Sequence, residues 1–143
     1  MAWEQWLNEK RFTLFRSAII QEQFIQCIID HTPKNGSILE AGFGFGTTTE
    51  LLRDLEYNIS GFDLEQVAVE QTAQRYPHLK DALYVGNILD DSSYPNRYDT
   101  IIHQGVLEHF EDQDIMEILS IQAGKCNKII FDVPNCLREN TED

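Results

Sequence analysis

Three glycines lie close together in the stretch "SILEAGFGFGTTTELL", between an apolar run and a helix-like run. Glycine weakens regular structure, so a cluster at a strand-to-helix junction indicates that the backbone closely approaches a ligand. Gly42, Gly44 and Gly46 follow the spacing G-x-G-x-G, whereas dinucleotide sites use G-x-G-x-x-G and phosphate loops end in Gly-Lys-Ser/Thr. The pattern therefore argues against a pyrophosphate, and a nicotinamide-dependent oxidoreductase is the less favoured alternative.

Glu40 lies two residues before Gly42, where the glycine loop (residues 42–46) begins, and its charge indicates which ligand charge the site would accept. A carboxylate repels a nearby phosphate and attracts a cation, such as the ammonium or sulfonium group of S-adenosylmethionine. The carboxylate of that ligand would lie near the positive amino end of the next helix. Thr47 and Glu50 also match the capping box, in which the two side chains bind the first backbone N–H groups of a helix.

The rest of the chain alternates between strand-like and helix-like segments. Two amphipathic segments come first, one over residues 3–16 with Trp3, Trp6 and Leu7, and one carrying Ile20, Phe24, Cys27 and Ile28. The pattern then predicts strands at 37–41, 57–63, 82–86, 98–104 and 127–134, and helices at 47–56, 65–76 and 112–123. Such alternation is typical of a parallel sheet with helices on both faces. The polar segment 87–97 is barely long enough for a crossover, so we expect a loop or one short turn there.

Several segments resemble class I S-adenosylmethionine-dependent methyltransferases, in the family's order and over about residues 37–135. The stretch "EAGFGFG" resembles the family's first motif, E/D-x-G-x-G-x-G, and Asp63 in "GFDLE" stands where the family has an acidic residue after its second strand. "VGNILD" resembles the segment after the third strand. "YDTIIHQGVLEHFED" and "FDVPN" resemble the segments around the fourth and fifth strands.

The resemblance implies a Rossmann-like three-layer sandwich with a mostly parallel sheet and a site for S-adenosylmethionine. Asp63 would bind both ribose hydroxyls. Asn87 stands where the family usually has Asp, and its amide oxygen could accept a hydrogen bond from the adenine amino group. The implied cofactor-binding residues are Glu40, Ala41, Gly42, Gly44, Gly46, Asp63, Leu64, Asn87, Ile88 and Gln104.

Methyl transfer is an in-line displacement, so positioning supplies much of the acceleration and a base is needed only for a protonated acceptor. His103 and His109 are the candidate bases, and His109 matches the family's "EH" position, which makes it the predicted catalytic residue. Glu108 has no apparent second ligand, so no metal site is predicted. The motifs of DNA amino-group and cytosine methyltransferases are absent, which leaves a small molecule, a lipid or a protein side chain as acceptor.

Composition indicates which binding partners and which cellular compartment the protein can have. The chain has 143 residues and a net charge of −13, with no extended basic stripe, so nucleic acid is not expected as a substrate. The apolar runs are too short to span a membrane, and the first residues do not resemble a secretion signal. Cys27, Cys126 and Cys136 form no CxxC pair, which favours reduced thiols and a cytoplasmic protein.

We expect a single domain overall. Residues 1–36 form its N-terminal helices, and residues 37–143 form the methyltransferase-like part that binds S-adenosylmethionine. The family usually continues beyond its fifth strand, so the sheet is expected to be truncated there and to leave an apolar edge. We therefore expect either a fragment, a homodimer or a partner chain that covers this edge. A non-catalytic cofactor-binding or scaffold chain is the alternative function.

Overall fold

The computed structural model describes residues 10–134. The expectations for Trp3, Trp6, Leu7, Asn135 and Cys136 lie outside the described residues. Within them, the helices and strands in chain order are α1 (Lys10–Ile20), α2 (Glu22–His31), β1 (Ser37–Ala41), α3 (Thr47–Asp54), β2 (Asn58–Asp63), α4 (Gln66–Arg75), β3 (Leu83–Val85), β4 (Tyr98–Gln104), α5 (Asp112–Ala123) and β5 (Cys126–Asp132).

The five strands form one parallel sheet in the order β3-β2-β1-β4-β5. This arrangement confirms the predicted α/β, Rossmann-like sandwich. The bounds predicted for β1, β4 and α5 are also confirmed. Between β3 and β4 the structure has only one short 3₁₀ turn, Asp91–Ser93, as the length and polarity of that segment predicted.

The two faces of the sheet bury different apolar clusters, because successive strand residues point to opposite sides. Leu39 and Ala41 of β1 pack in one cluster with Ile118 of α5. Ile38, next to Leu39 in the strand and so on the other face, packs with Ile28 of α2 and Leu52 of α3. Helices therefore cover both faces, and the core lies in two layers separated by the sheet.

Helix α4 lies on the same face as α2 and α3. Leu83 of β3 pairs in register with Gly61, which is two residues from Ile59 and so shares its face. Leu83 packs with Tyr76 at the end of α4 and with Phe43 of the glycine loop. The helices after β1 and β2 thus lie on one face, and α5, after β4, lies on the other.

Several bounds of helices and strands differ from the sequence pattern, those of β2, β3, β5 and α4 by one or two residues. The first helix continues to Ile20 instead of ending at residue 16, and the second begins at Glu22. Helix α3 ends at Asp54, two residues earlier than predicted, because Glu56 adopts a left-handed backbone with φ of 67°. The Tyr57 N–H then donates to the Leu52 carbonyl, which closes the helix and turns the chain into β2.

Strand β5 forms one edge of the sheet. Near its end, Phe131 and Val133 are 43% and 39% exposed. The expectation that a second chain covers this edge stays a prediction. No helix among residues 10–134 has the length and apolar character needed to cross a membrane.

Candidate functional site

The candidate site is the crevice at the carboxyl ends of β1 and β4. Crossovers that leave neighbouring strands for opposite faces open a crevice at that point, where ligands of open α/β sheets bind. Here α3 follows β1 on one face and α5 follows β4 on the other. The glycine loop begins where β1 ends, Asp63 ends β2, and Gln104 ends β4. The fold thus brings together residues that are up to about 60 positions apart in the sequence.

Gly44 faces open space in this crevice. All three glycines of the loop have left-handed backbones, with φ of 78° at Gly42, 55° at Gly44 and 72° at Gly46. A Cβ added to Gly44 would have no other atom within 4 Å. The missing side chain therefore leaves room for a ligand against the backbone.

Gly46 and Gly42 lie against other segments of the protein, and Gly46 has the closer neighbour. A Cβ on Gly46 would lie 2.3 Å from the Cγ2 methyl of Thr72 on α4, far inside van der Waals contact. A Cβ on Gly42 would lie 3.1 Å from a methyl of Val106, which follows β4. The glycine loop thus combines one glycine open to a ligand with two that permit close approach by neighbouring segments.

Asp63 is fixed in place beside Gly44. One carboxylate oxygen accepts a hydrogen bond from the Gly44 N–H at 3.0 Å, and the other accepts from the Glu65 N–H at 3.1 Å. Each carboxylate oxygen retains further acceptor capacity, which could take ribose hydroxyls. Leu64, the next residue, is 64% exposed and presents an apolar surface near this carboxylate.

Glu40 is buried, and its charge differs from the sequence-based interpretation. Only 4% of the residue is exposed, and the Thr49 hydroxyl of α3 donates a hydrogen bond to its carboxyl group. Burial raises the pKa of Glu40 to about 8, opposed by the Thr49 hydrogen bond and increased further by the charge of Asp63. At neutral pH Glu40 is therefore protonated, whereas the sequence interpretation treated it as a carboxylate.

The predicted capping box is wrong. The residue before helix α3 is Gly46, which has no side chain that could cap the helix. Thr47 is already inside the helix and so does not act as the cap. Glu50 is buried and contacts Nε2 of His78 at 2.5 Å, in the 3₁₀ segment after α4. Tertiary pairing with His78 thus replaces the local hydrogen bond that the sequence pattern predicted.

Asn87 and Ile88 follow β3 and are held by the turn that leads to β4. The Asn87 N–H donates to the Ser93 hydroxyl at 2.8 Å, and its side-chain oxygen accepts from the Leu89 N–H at 3.0 Å. The carbonyl of Ile88 accepts from the Tyr94 hydroxyl at 2.9 Å. These contacts fix the backbone of the segment that the resemblance assigns to adenine, and the Asn87 oxygen keeps a second lone pair.

The two histidines near the end of β4 lie in different environments. His103 is fully buried, contacts the Gln122 side-chain oxygen of α5 at 3.2 Å and stacks on Phe131. Burial lowers its pKa to about 4, so it stays neutral and is enclosed beneath α5. His109 is exposed in the 3₁₀ segment Leu107–His109, beyond the end of β4. Of the two candidate bases, only His109 is accessible to an acceptor.

Gln104 ends β4, and its side-chain amide donates to Asp132 of β5 at 3.3 Å. This contact joins the ends of two neighbouring strands at the crevice. Within residues 10–134, no group of three or more His, Cys, Asp or Glu side chains is arranged to hold a metal ion. The sequence motifs gave no signal for Thr49, Thr72 or Arg75, which contact Glu40 or the glycine loop from helices.

The fold and the crevice define the class I S-adenosylmethionine-dependent methyltransferase architecture. The model of a family described as "Methyltransferase domain" matches residues 38–123, which include every predicted site residue. The chain belongs to this family. The search of curated proteins found no match.

Solved structures with the same fold include several methyltransferases. The glycopeptide N-methyltransferase MtfA, complexed with S-adenosyl-L-homocysteine, is 15% identical with a TM-score of 0.63, over 73% of this chain and 46% of MtfA. The methyltransferase domain of bacterial CtHen1 is 16% identical with a TM-score of 0.62, over 78% of this chain and 64% of that domain. TehB from Haemophilus influenzae is 15% identical with a TM-score of 0.63, over 74% of this chain and 37% of TehB. The chain thus spans about half of MtfA and less of TehB.

We expect Gly46→Ala to destabilise the protein far more than Gly44→Ala. Both substitutions strain a left-handed backbone at a cost of about 1–2 kcal/mol, but only the Cβ at position 46 meets the Thr72 methyl. Urea unfolding measures both losses. In a Thr72→Ser background, which lacks that methyl, Gly46→Ala should cost less than in the parent. Equal costs in the two backgrounds would show that the contact with Thr72 is not the cause.

Glu40 should make the protein less stable as pH rises. Because the pKa of Glu40 is raised from 4.5 to about 8 on folding, the folded chain binds a proton that the unfolded chain releases. The contribution is complete below about pH 4.5 and is lost as pH rises through 8, by at most about 5 kcal/mol. Glu40→Gln cannot titrate, so urea unfolding between pH 5 and pH 9 should show a smaller decline for this variant. Identical pH profiles for parent and variant would contradict the buried proton.

Proposed function

We propose that this domain binds S-adenosylmethionine in the crevice and transfers its methyl group to a small-molecule acceptor. The observation that carries the proposal is the open space at Gly44, directly beside the fixed carboxylate of Asp63. A glycine backbone without a neighbouring side chain lets a flat or extended ligand lie in contact with the loop. Family membership supports the same reaction class.

The crevice residues suit the separate parts of this nucleoside. Asp63 offers two carboxylate oxygens to the ribose, and the exposed Leu64 offers an apolar surface to the adenine. Asn87 and Ile88 stand on the backbone held by Ser93 and Tyr94, where the adenine edge would lie. MtfA, which has the same fold, was solved with S-adenosyl-L-homocysteine and with S-adenosyl-L-methionine.

The chemistry asks little of the side chains beyond positioning. Attack on the methyl breaks its bond to the sulfonium and releases a neutral thioether, which is a good leaving group. The protein therefore has to align the acceptor with the methyl and exclude competing orientations. We propose that His109 removes a proton from an acceptor that arrives protonated. It is exposed in the 3₁₀ segment beyond the end of β4, where an acceptor can reach its imidazole.

Charge favours a neutral or cationic acceptor. The chain carries a net charge of −13, Glu108 and Glu111 are exposed beyond the end of β4, and Asp132 is exposed at the end of β5. A phosphate backbone or another polyanion would be repelled by this rim. We therefore propose a small molecule, such as an amine or a neutral hydroxyl compound, in preference to a lipid headgroup, a protein side chain or nucleic acid.

Isothermal titration with S-adenosylhomocysteine and with NADH tests the cofactor. We expect S-adenosylhomocysteine to bind and NADH not to bind. Asp63→Ala should weaken S-adenosylhomocysteine binding by about 100-fold or more, because hydrogen bonds to a charged carboxylate are lost. Asp99→Ala is the matched control, since Asp99 also accepts two hydrogen bonds, from Ser37, but lies at the opposite end of the sheet. Binding of NADH alone, or equal affinity in the folded Asp63 variant, would overturn the proposed cofactor.

Transfer of a labelled methyl group to a panel of amines, phenols and thiols tests catalysis. For an acceptor that must lose a proton, His109→Gln should lower turnover by about 100-fold with unchanged cofactor affinity. His31→Gln is the control, because His31 is also exposed but ends α2 on the opposite side of the sheet. Cofactor binding without transfer to any acceptor would favour the non-catalytic alternative. Unchanged turnover in the His109 variant would remove this residue from the mechanism.

A further inference from the structure

Helix α4 holds two successive carbonyl groups of the glycine loop. The hydroxyl of Thr72 donates to the Gly44 carbonyl at 3.2 Å, and Nη1 of Arg75 donates to the Phe45 carbonyl at 3.1 Å. Because Thr72 and Arg75 are three residues apart, they lie on one face of the helix. The loop therefore rests on a single face of α4. This helix connects β2 to β3, whereas the loop begins the connection from β1 to β2.

The two ends of the Thr72 side chain contact different glycines. The residue is only 1% exposed, its hydroxyl binds Gly44, and its methyl fills the space that a side chain at Gly46 would need. A buried hydroxyl that lost its partner would be costly, so this hydrogen bond is a fixed feature of the packed state. Valine would retain the methyl without the hydroxyl, and serine would retain the hydroxyl without the methyl.

Arg75 supports the exposed tip of the loop. Phe45 is 72% exposed, and the guanidinium carbon of Arg75 lies 5.5 Å from the centre of its ring. Such a contact is worth little at an exposed site, but combined with the hydrogen bond to the Phe45 carbonyl it limits the orientations of the tip. A second tie, between His78 after α4 and Glu50 of α3, joins the same two crossovers beyond the loop.

Holding these carbonyls also sets the direction of the backbone N–H groups. In a trans peptide the C=O and the following N–H point in opposite directions, so binding the Gly44 carbonyl to α4 turns the Phe45 N–H away from α4. The Gly44 N–H already points to Asp63. The peptide groups on both sides of Gly44 are therefore oriented by contacts that exist before any ligand arrives.

We propose that Thr72 is a positioning residue for the methyl-donor nucleoside, acting through the Gly44 carbonyl, with Arg75 in the same role at Phe45. This inference rests on the proposed cofactor. Thr72 does not touch the ligand. It holds the loop in the one orientation that presents an open Gly44 surface and a bound Asp63 carboxylate, so the ordering of the loop is complete before binding.

The test compares Thr72→Val with Thr72→Ser by titration with S-adenosylhomocysteine. Loss of one neutral hydrogen bond should weaken binding by about fivefold to tenfold in Thr72→Val. Thr72→Ser should bind within about twofold of the parent. Packing predicts the reverse order, because valine keeps the methyl against Gly46 and serine loses it. Urea unfolding of the same variants separates affinity from stability.

Two further variants keep the outcome clear. Arg75→Met removes an exposed side chain's hydrogen bond with no loss of core, and should weaken binding about threefold or more even if the Thr72 variants fold poorly. Thr32→Val, which removes a buried hydroxyl paired with Thr100 away from the crevice, should leave affinity unchanged.

A parent that binds no S-adenosylhomocysteine would overturn the proposed function and this inference with it. A parent that binds, together with Thr72→Val and Arg75→Met variants that bind equally well, would overturn the positioning role alone.

Discussion

Gly44 is bound through both of its backbone groups, and the geometry of the crevice depends on this arrangement. Its N–H donates to Asp63 at the end of β2, and its carbonyl accepts from Thr72 on α4. The residue adopts a left-handed backbone with open space where a side chain would project. Three elements that are separate in the sequence thus meet at one residue, and they leave its outer surface clear for a ligand.

Buried charge is the second constraint on the site. Glu40 is buried beneath α3, so loss of hydration disfavours its ionised form, and the charge of Asp63 adds to this effect. The protein avoids this cost by keeping a proton on Glu40, whose carboxyl group also accepts a hydrogen bond from the Thr49 hydroxyl. A cation close to Glu40 would favour the ionised carboxylate and oppose the effect of burial.

A buried polar chain supports the crevice from the other face. His103 of β4 contacts Gln122 of α5, Gln122 donates to the Tyr94 hydroxyl, and Tyr94 donates to the carbonyl of Ile88. This chain connects the end of β4 to the segment after β3 with a series of hydrogen bonds in the core. Buried networks of this kind fix relative positions more sharply than apolar contacts, since each member has a preferred direction. It also explains why a histidine so near the crevice is enclosed by protein.

The sequence by itself determined the succession of strands and helices along the chain, the parallel sheet and the position of the glycine loop. Local periodicity and turn residues act over a few positions, so β1, β4 and α5 could be bounded from the pattern alone. Only the tertiary structure showed which glycine faces open space and which ones pack against neighbouring segments. It also decided that Glu40 carries a proton and that Glu50 pairs with His78 in place of a local cap. The contact of Thr72 with Gly44 likewise joins residues 28 positions apart. Packing between crossovers and exclusion of water set these features, and neither is encoded in the spacing of neighbouring residues.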